Sequence, residues 1–412
     1  MKNIIIVCDH AFVNGGQAKV AIETALYLRA AGCNVTVFCG VGPPDARLGK
    51  AGVETVCLGQ DDLLGDPNRL RSAVRGLWNR EAATALRQLL AQFNPADTIV
   101  HVHGWAKSLS PSIGPVVTSS VIPHVYTMHE YFLACPNGGF YDYRTQTICT
   151  RRPLGADCLT TDCDPRSRAH KAWRVARQAV LWTAGTMPHK LHDVIYLSET
   201  QLLALRGHLS KATRFHHLPN PVATTMANRV TAEENELFLF VGRLSAEKGA
   251  EVAALAARYA GVNIAFAGEG ECRDQILAAN PQAKMLGWLK PDELAAWVAK
   301  SRCLVFPSLW YECLPLSVIE AMQRGIPVLS SDSSAAAELV RHDADGLHVA
   351  TGDVAAWSRA MTLMLEPARA ARYSRSAFDT AKSFLDERSY APALLAIYEK
   401  AAAAQQLLRV PA

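Results

Sequence analysis

The chain has 412 residues, half of them hydrophobic, and Lys plus Arg exceed Asp plus Glu by four. That length exceeds what one hydrophobic core holds and implies about two domains. The near-neutral balance excludes a general nucleic-acid binder and leaves room only for local basic patches. No run approaches the roughly 20 apolar residues of a membrane span. The opening MKNIIIVCDH is apolar for five residues before Asp9, far short of a secretory core. Seven of the eleven cysteines are scattered. Cys8, Cys39 and Cys57 fall inside strand-like runs, where a reduced core thiol is the ordinary reading. A cytoplasmic protein is expected.

In chain order, NIIIVCDH reads as a strand, AFVNGGQ as a loop, AKVAIETALYLRAA as a helix stopped by Gly32, and NVTVFCG as a second strand, which makes a βαβ unit. Further strands are expected at ETVCL, TIVHVH, PHVYTMH and DVIYLS. The order restarts at residue 237 with ELFLFVG, the loop RLSAEKG, the helix AEVAALAARYA, Gly261 and the strand VNIAFAG. CLVFPS and IPVLSS follow as strands, with PDELAAWVAK and LSVIEAMQR as helices. Two alternating halves joined by LPNPVATTMANRVTAEEN imply an α/β protein with two doubly wound, Rossmann-like parallel sheets facing each other across a ligand cleft. The expected boundaries are 1–218 for the first domain, 219–385 for the second, and 386–412 for a C-terminal helix that folds back on the first domain.

An insert at 135–165 interrupts the first half with no long periodic run and carries Cys135, Cys149, Cys158 and Cys163. Four thiols in one irregular stretch point to a structural zinc site, although only the last pair approaches metal-ligand spacing; free thiols or a disulfide are the alternatives. After it, RSRAHKAWRVARQAVLWTAG carries Arg166, Arg168, Lys171, Arg174 and Arg177 with Trp173 and Trp182. Such a helix suits an anionic membrane surface or a lipid-linked acceptor, or is a solvated basic face.

Two carboxylates, Glu312 and Glu320, bracket Pro315 in WYECLPLSVIEAMQRG. Proline suits a helix start, which puts Glu312 in the preceding loop and Glu320 about two turns on. A helix start after a parallel strand attracts phosphate, which a carboxylate would repel unless it faced hydroxyls. The pair therefore fits a ligand with both phosphate and hydroxyl-rich parts, such as a sugar nucleotide; a capping acid and an exposed helix residue are the plain alternative. Arg243 and Lys248 in GRLSAEKG could neutralise a diphosphate, one as a fork and one as a compact charge, or be ordinary loop cations. Gly15 and Gly16 in the facing loop would let backbone approach the same group, or form a plain turn.

FVGRLSAEKG, AGEGECRDQI, LGWLKPDELAAWVAKSRCLVFPS and YECLPLSVIEAMQRGIPVLSSD resemble the successive motifs of family 4 retaining glycosyltransferases, and the first βαβ unit and MHE do so more loosely. The resemblance implies the two-domain GT-B fold, a UDP- or GDP-sugar donor and no catalytic metal. It implies that Arg243 and Lys248 bind the donor diphosphate, and that Glu312 and the backbone N–H groups near Leu314 and Leu316 hold the donor sugar and phosphate. Glu320 would accept from the ribose, Gly16 would lie over the diphosphate, and His129 would sit beside donor sugar and acceptor. His101 and His103 are expected to be strand and loop structure. Two departures bear on sugar identity: Cys313 replaces a common Gly, and Ala336 and Ala337 stand where a Gly pair before the glutamate is usual.

The implied activity is transfer of a hexosyl group to a glycan, lipid-linked or small-molecule acceptor, in surface polysaccharide or glycolipid assembly at the inner face of the membrane. A sugar-nucleotide epimerase and a non-catalytic GT-B subunit are the alternatives; the second would be expected to have lost some of Arg243, Lys248, Glu312 and Glu320.

Overall fold

The computed structural model describes residues 1–222 and 228–407. Part of the expected linker, 223–227, and the last residues of the expected C-terminal helix, 408–412, lie outside them.

The first sheet contains β1 (Asn3–His10), β2 (Asn34–Val41), β3 (Glu54–Cys57), β4 (Thr98–Val102) and β5 (His124–Thr127). A two-stranded antiparallel ribbon, β6 (Tyr141–Asp142) and β7 (Thr147–Ile148), stands apart in the insert, and β8 (Asp193–Tyr196) and β9 (Arg214–His217) complete the sheet. Its order is β3-β2-β1-β4-β5-β8-β9, with every pairing parallel. The second sheet holds β10 (Leu237–Val241), β11 (Ile264–Ala267), β12 (Lys284–Gly287), β13 (Ser301–Phe306), β14 (Val328–Ser331) and β15 (Gly346–Val349), all parallel, in the order β12-β11-β10-β13-β14-β15. Both sheets reverse direction beside their first strand, at β1/β4 and β10/β13. Ligands of open α/β sheets bind outside the strand carboxyl ends at such points.

Burial explains why these runs became central strands. Ile4, Ile5, Ile6 and Val7 are at most 1% exposed, and each such side chain contributes roughly 1.5–3 kcal/mol on leaving water. Their alternation divides them between two layers. Ile5 and Val7 pack with Trp105, Tyr126 and Tyr131, and Ile4 and Ile6 with Ala21, Ala25 and Leu28 of the helix Gly16–Ala30. The C-terminal helix Glu387–Leu407 belongs to this second layer: Tyr390, Leu394, Ile397 and Tyr398 pack under the first sheet, and Thr24 and Tyr390 share a hydrogen bond of 3.0 Å.

Three strands give no apolar run in the sequence: RFHH, KMLG and GLHV, which form β9, β12 and β15. Each is the outermost strand at one end of its sheet, and an edge strand needs no continuous apolar face.

The insert is ordered by its own packing. Phe140 and Tyr141 are buried, Arg151 pairs with Asp142 at 2.7 Å, and Arg174 of the following helix pairs with Asp164 at 3.0 Å. The four cysteines expected to hold zinc lie within this packed stretch. Among the described residues no group of three or more His, Cys, Asp or Glu side chains could hold a metal ion. Cys158 and Cys163 instead face a cation: Lys171 Nζ lies 3.0 Å from Cys163 Sγ and 3.7 Å from Cys158 Sγ, all three buried. Cys149 receives Arg151 Nη1 at 3.6 Å, and burial pushes the Cys135 thiol up.

The helix Arg168–Trp182 is likewise not the basic surface expected. Lys171 and Arg177 are buried, and the Arg177 guanidinium lies among the rings of Phe132, Trp173 and Trp105 at 4.7, 5.0 and 5.6 Å. Trp173 and Trp182 donate to Ala73 O and Leu133 O, and of the five cations only Arg166 and Arg168 are exposed. Among the described residues, no helix is long and apolar enough to cross a membrane.

Candidate functional site

The carboxyl edge of the second sheet carries four of the expected residues on two loops and the helix that follows. After β10 the chain turns through a short 3-10 segment, Ala246–Lys248, that ends at Gly249 with φ 67°. A Cβ there would lie 2.0 Å from Pro307 O, so only glycine lets this loop pack on the end of β13. That approach brings Lys248 to the loop after β13. Its Nζ lies 2.6 Å from Glu312 Oε1 and 5.4 Å from the centre of the Trp310 ring, and Ser308 Oγ donates to the same carboxylate oxygen at 2.6 Å. Glu312 has φ 55°, in the left-handed region that non-glycine residues adopt at a cost of about 1–3 kcal/mol. The fold offsets that cost with two donors on the side chain and with Tyr131 Oη donating to Glu312 O from the other domain. Arg243, 61% exposed, is steered by buried Glu247 and by Ser245 Oγ at 3.2 Å.

Pro315 is the residue just before the helix Leu316–Met322 rather than its first-turn member. Glu320 lies on that helix and bonds Lys19 of the first domain at 2.8 Å. Gly16 sits opposite the same helix: a Cβ on it would be 3.9 Å from Leu316 Cδ1, whereas one on Gly15 would meet nothing within 4 Å. Gly15 is extended, a backbone any residue adopts, so its role is not conformational. The two domains thus meet around Glu312, Leu316 and Glu320. Glu338, which follows the Ala336 and Ala337 departure and was not singled out from sequence, adds a latch: its carboxylate accepts from Glu199 N at 2.8 Å and Thr200 N at 2.6 Å, capping a helix of the first domain. Cys313 is packed against the first domain's core, and burial, reinforced by Glu312, pushes its thiol up to about 12.

The carboxyl edge of the first sheet holds His129, with His101 inside β4 and His103 in the loop directly after it, as expected. His103 and His129 stack at 5.1 Å between ring centres, with His103 Nδ1 2.9 Å from His129 Nε2, and His101 lies 4.0 Å from His103. His101 is fixed by Tyr398 Oη and Thr127 Oγ1, both at 2.7 Å, which ties the stack to the C-terminal helix. Burial pushes His101 and His129 down to about 3, and His103 well below its usual range, so the stack is neutral at pH 7. His129 can therefore donate or accept a hydrogen bond but carries no charge to a ligand.

Asp9 and Glu130 complete this edge, and neither was read as a site residue. Asp9, 3% exposed, lies at the end of β1. Its Oδ1 accepts from Ser108 N, Ser108 Oγ and Leu109 N at 2.8, 2.9 and 3.1 Å. Burial, with Asp9 adding to it, pushes the Glu130 carboxyl up to about 7. An acid closing a strand just before a loop, and one directly after His129, were the sequence signals for them.

Comparison with known proteins agrees with this layout. In the first sheet's half, residues 15–221 match the family described as Glycosyl transferase 4-like domain; in the second, residues 223–379 match Glycosyl transferases group 1. A glycogen synthase of Mycobacterium tuberculosis is 31% identical over 172 residues, 39% of this chain and 41% of that protein. The lipopolysaccharide core biosynthesis mannosyltransferase LpsB of Rhizobium meliloti is 30% identical over 151 residues, 36% of this chain and 42% of that protein. The matched segment thus spans about two fifths of these relatives. Among solved structures, a sucrose-phosphate synthase from Thermosynechococcus elongatus superposes with TM-score 0.72 at 18% identity over 98% of this chain and all of that one. Anabaena Alr3699/HepE in complex with UDP and glucose does so with TM-score 0.64 at 15% identity over 99% and 100%. These two share the fold. With both halves matched and two parallel Rossmann-like sheets, the chain belongs to the family 4 glycosyltransferases of GT-B fold.

Proposed function

We propose that the chain transfers a hexosyl group, with retention of configuration, from a UDP- or GDP-sugar to a hydroxyl of a glycan, lipid-linked or small-molecule acceptor. The observation that carries this reading is the Lys248–Glu312 contact, 2.6 Å long and spanning two loops at the switch point of the second sheet, with Arg243 beside it. Lys248 and Arg243 would meet the diphosphate, and charge building on the leaving group would be stabilised by cations already in place. Glu312 and the backbone N–H groups at Leu314 and Leu316 would hold the donor sugar and phosphate. Glu320 would accept from the ribose, exchanging its exposed contact with Lys19 for hydroxyls. The leaving diphosphate would take the acceptor's proton on the face that the new bond forms on, and neutral His129 would hydrogen-bond at the sugar. The Anabaena structural neighbour holds UDP and glucose, which is consistent with a uridine donor.

The reading is tested by thermal denaturation with UDP, GDP and ADP. A bound nucleotide raises apparent stability by RT ln(1 + [L]/Kd), about 2.7 kcal/mol at a hundredfold excess over Kd. One of the first two should raise the melting temperature in wild type and fail to do so at the same concentration in Lys248→Ala. No response to any nucleotide would remove the donor assignment.

A further inference from the structure

At the β1/β4 switch point of the first sheet, three buried polar atoms face no hydrogen-bond partner among the described residues: Asp9 Oδ2, His103 Nε2 and Glu130 Oε1. Asp9 is 3% and His103 0% exposed. Buried polar groups are almost always satisfied, so three at the carboxyl ends of adjacent strands call for an explanation.

The surroundings show a built site. Because three donors saturate Asp9 Oδ1, the carboxylate cannot turn, and Oδ2 is held in one direction. Gln17 Nε2 donates to His103 O at 2.5 Å. Both close over Gly104, where a Cβ would lie 2.0 Å from Gln17 Nε2 and 3.3 Å from Asp9 Oδ2, so only glycine there lets the Gln17 amide pack in beside the free oxygen. The charges that act on Glu130 are Asp9 from β1, Lys107 from the loop after β4, and Arg177 from the helix Arg168–Trp182. Arg177 is enclosed by aromatic rings and donates to Ala106 O at 2.8 Å, so it is committed to the scaffold.

We propose that Asp9, with Glu130 and His103 beside it, binds the hydroxyls of a neutral sugar or polyol acceptor. The inference rests on the donor reading above and names the acceptor class for the same cleft. A fixed carboxylate oxygen with an open lone pair accepts from a hydroxyl and repels a phosphate or carboxylate. The acceptor therefore presents an uncharged, hydroxyl-bearing end here. Held near neutrality between its acid and carboxylate forms, the Glu130 carboxyl can donate to one hydroxyl while Asp9 accepts from the next.

Saturation-transfer NMR on the full chain, with whichever of UDP or GDP raises its melting temperature, tests this. The probes are methyl glucoside, methyl galactoside, methyl mannoside and methyl N-acetylglucosaminide, each against its sugar 6-phosphate. At least one neutral glycoside should give a signal stronger than its phosphate. A hydrogen bond to a charged group changes affinity by about tenfold or more, so Asp9→Asn should lose that signal and keep its nucleotide response. Glu130→Ala should weaken it at least several-fold, and it decides the matter if Asp9→Asn fails to fold. The proposal is overturned if no neutral glycoside binds wild type, if the phosphates bind as well, or if the signal survives in both variants. Absence of any nucleotide response strikes the donor reading instead, and is seen separately in the melting curves.

Discussion

At the carboxyl edge of the second sheet both cations meet a counter-charge, Arg243 against Glu247 and Lys248 against Glu312; at the matching edge of the first sheet the histidines are neutral and one oxygen each of Asp9 and Glu130 faces no described donor. The two edges occupy equivalent places in similar sheets, so the difference lies in side chains rather than topology. One edge is charged and balanced, which suits a diphosphate that builds negative charge during reaction. The other is uncharged in its histidines and open in its carboxylates, which suits hydroxyls.

The largest effect should come from removing a cation at the charged edge. Lys248→Ala or Arg243→Ala should each lower sugar transfer by at least about a hundredfold, since each removes preorganised charge stabilisation. Near-normal turnover in both would break the comparison at its stronger side. A smaller change is expected from Glu320→Ala: about tenfold weaker nucleotide binding with little change in turnover, because ribose contacts are the same before and during transfer. Lys19→Ala is the control. It removes the same exposed ion pair, which is worth at most about 1 kcal/mol, and should leave nucleotide affinity unchanged. Equal losses in the two variants would reassign Glu320 to holding the domains together.

The charged edge was legible in sequence because its residues sit in contiguous motifs whose spacing is set by one loop and one helix start. Arg243, Lys248, Glu312 and Glu320 could be named before the fold was known. The first sheet's edge is assembled from the end of β1 and, about a hundred residues later, the ends of β4 and β5, and only tertiary structure brings Asp9 beside Ser108 and Glu130. The β/α alternation gave away both sheets, yet polar β9, β12 and β15 were hidden because edge strands need no apolar run. The basic helix was misread for a related reason. A row of Arg and Lys was read as a membrane- or solvent-facing surface, whereas Lys171 and Arg177 point inward, one onto thiols and the other onto aromatic rings.

The neutral histidines of the first sheet's edge should announce themselves in acid. His101 and His129 have folded-state values of about 3 against an ordinary 6.5, so the unfolded chain binds more protons between those limits. Their contribution to stability is fully present above pH 6.5 and is lost as pH falls toward 3. Urea denaturation between about pH 7 and 4 should show this loss, and His129→Gln should make the slope shallower. An unchanged slope in that variant would mean the stack is not buried and neutral. The smallest effect is expected from chelation: with Lys171 as the partner of Cys158 and Cys163, EDTA should shift the melting temperature by less than about 1 °C. A drop of several degrees that added zinc reverses would restore the metal site.

If the charged edge activates a nucleotide sugar while the first sheet presents the acceptor, both halves of that division show in one reaction. Proton NMR of the full chain turning over UDP- and GDP-sugars, with the neutral glycosides as acceptors, records nucleotide release and the anomeric coupling of the first product formed. The expected result is release of one nucleoside diphosphate with the donor's anomeric configuration kept in the product, abolished in Lys248→Ala. An inverted product would contradict the retaining mechanism, and release that persists in Lys248→Ala would contradict the assignment of the donor edge.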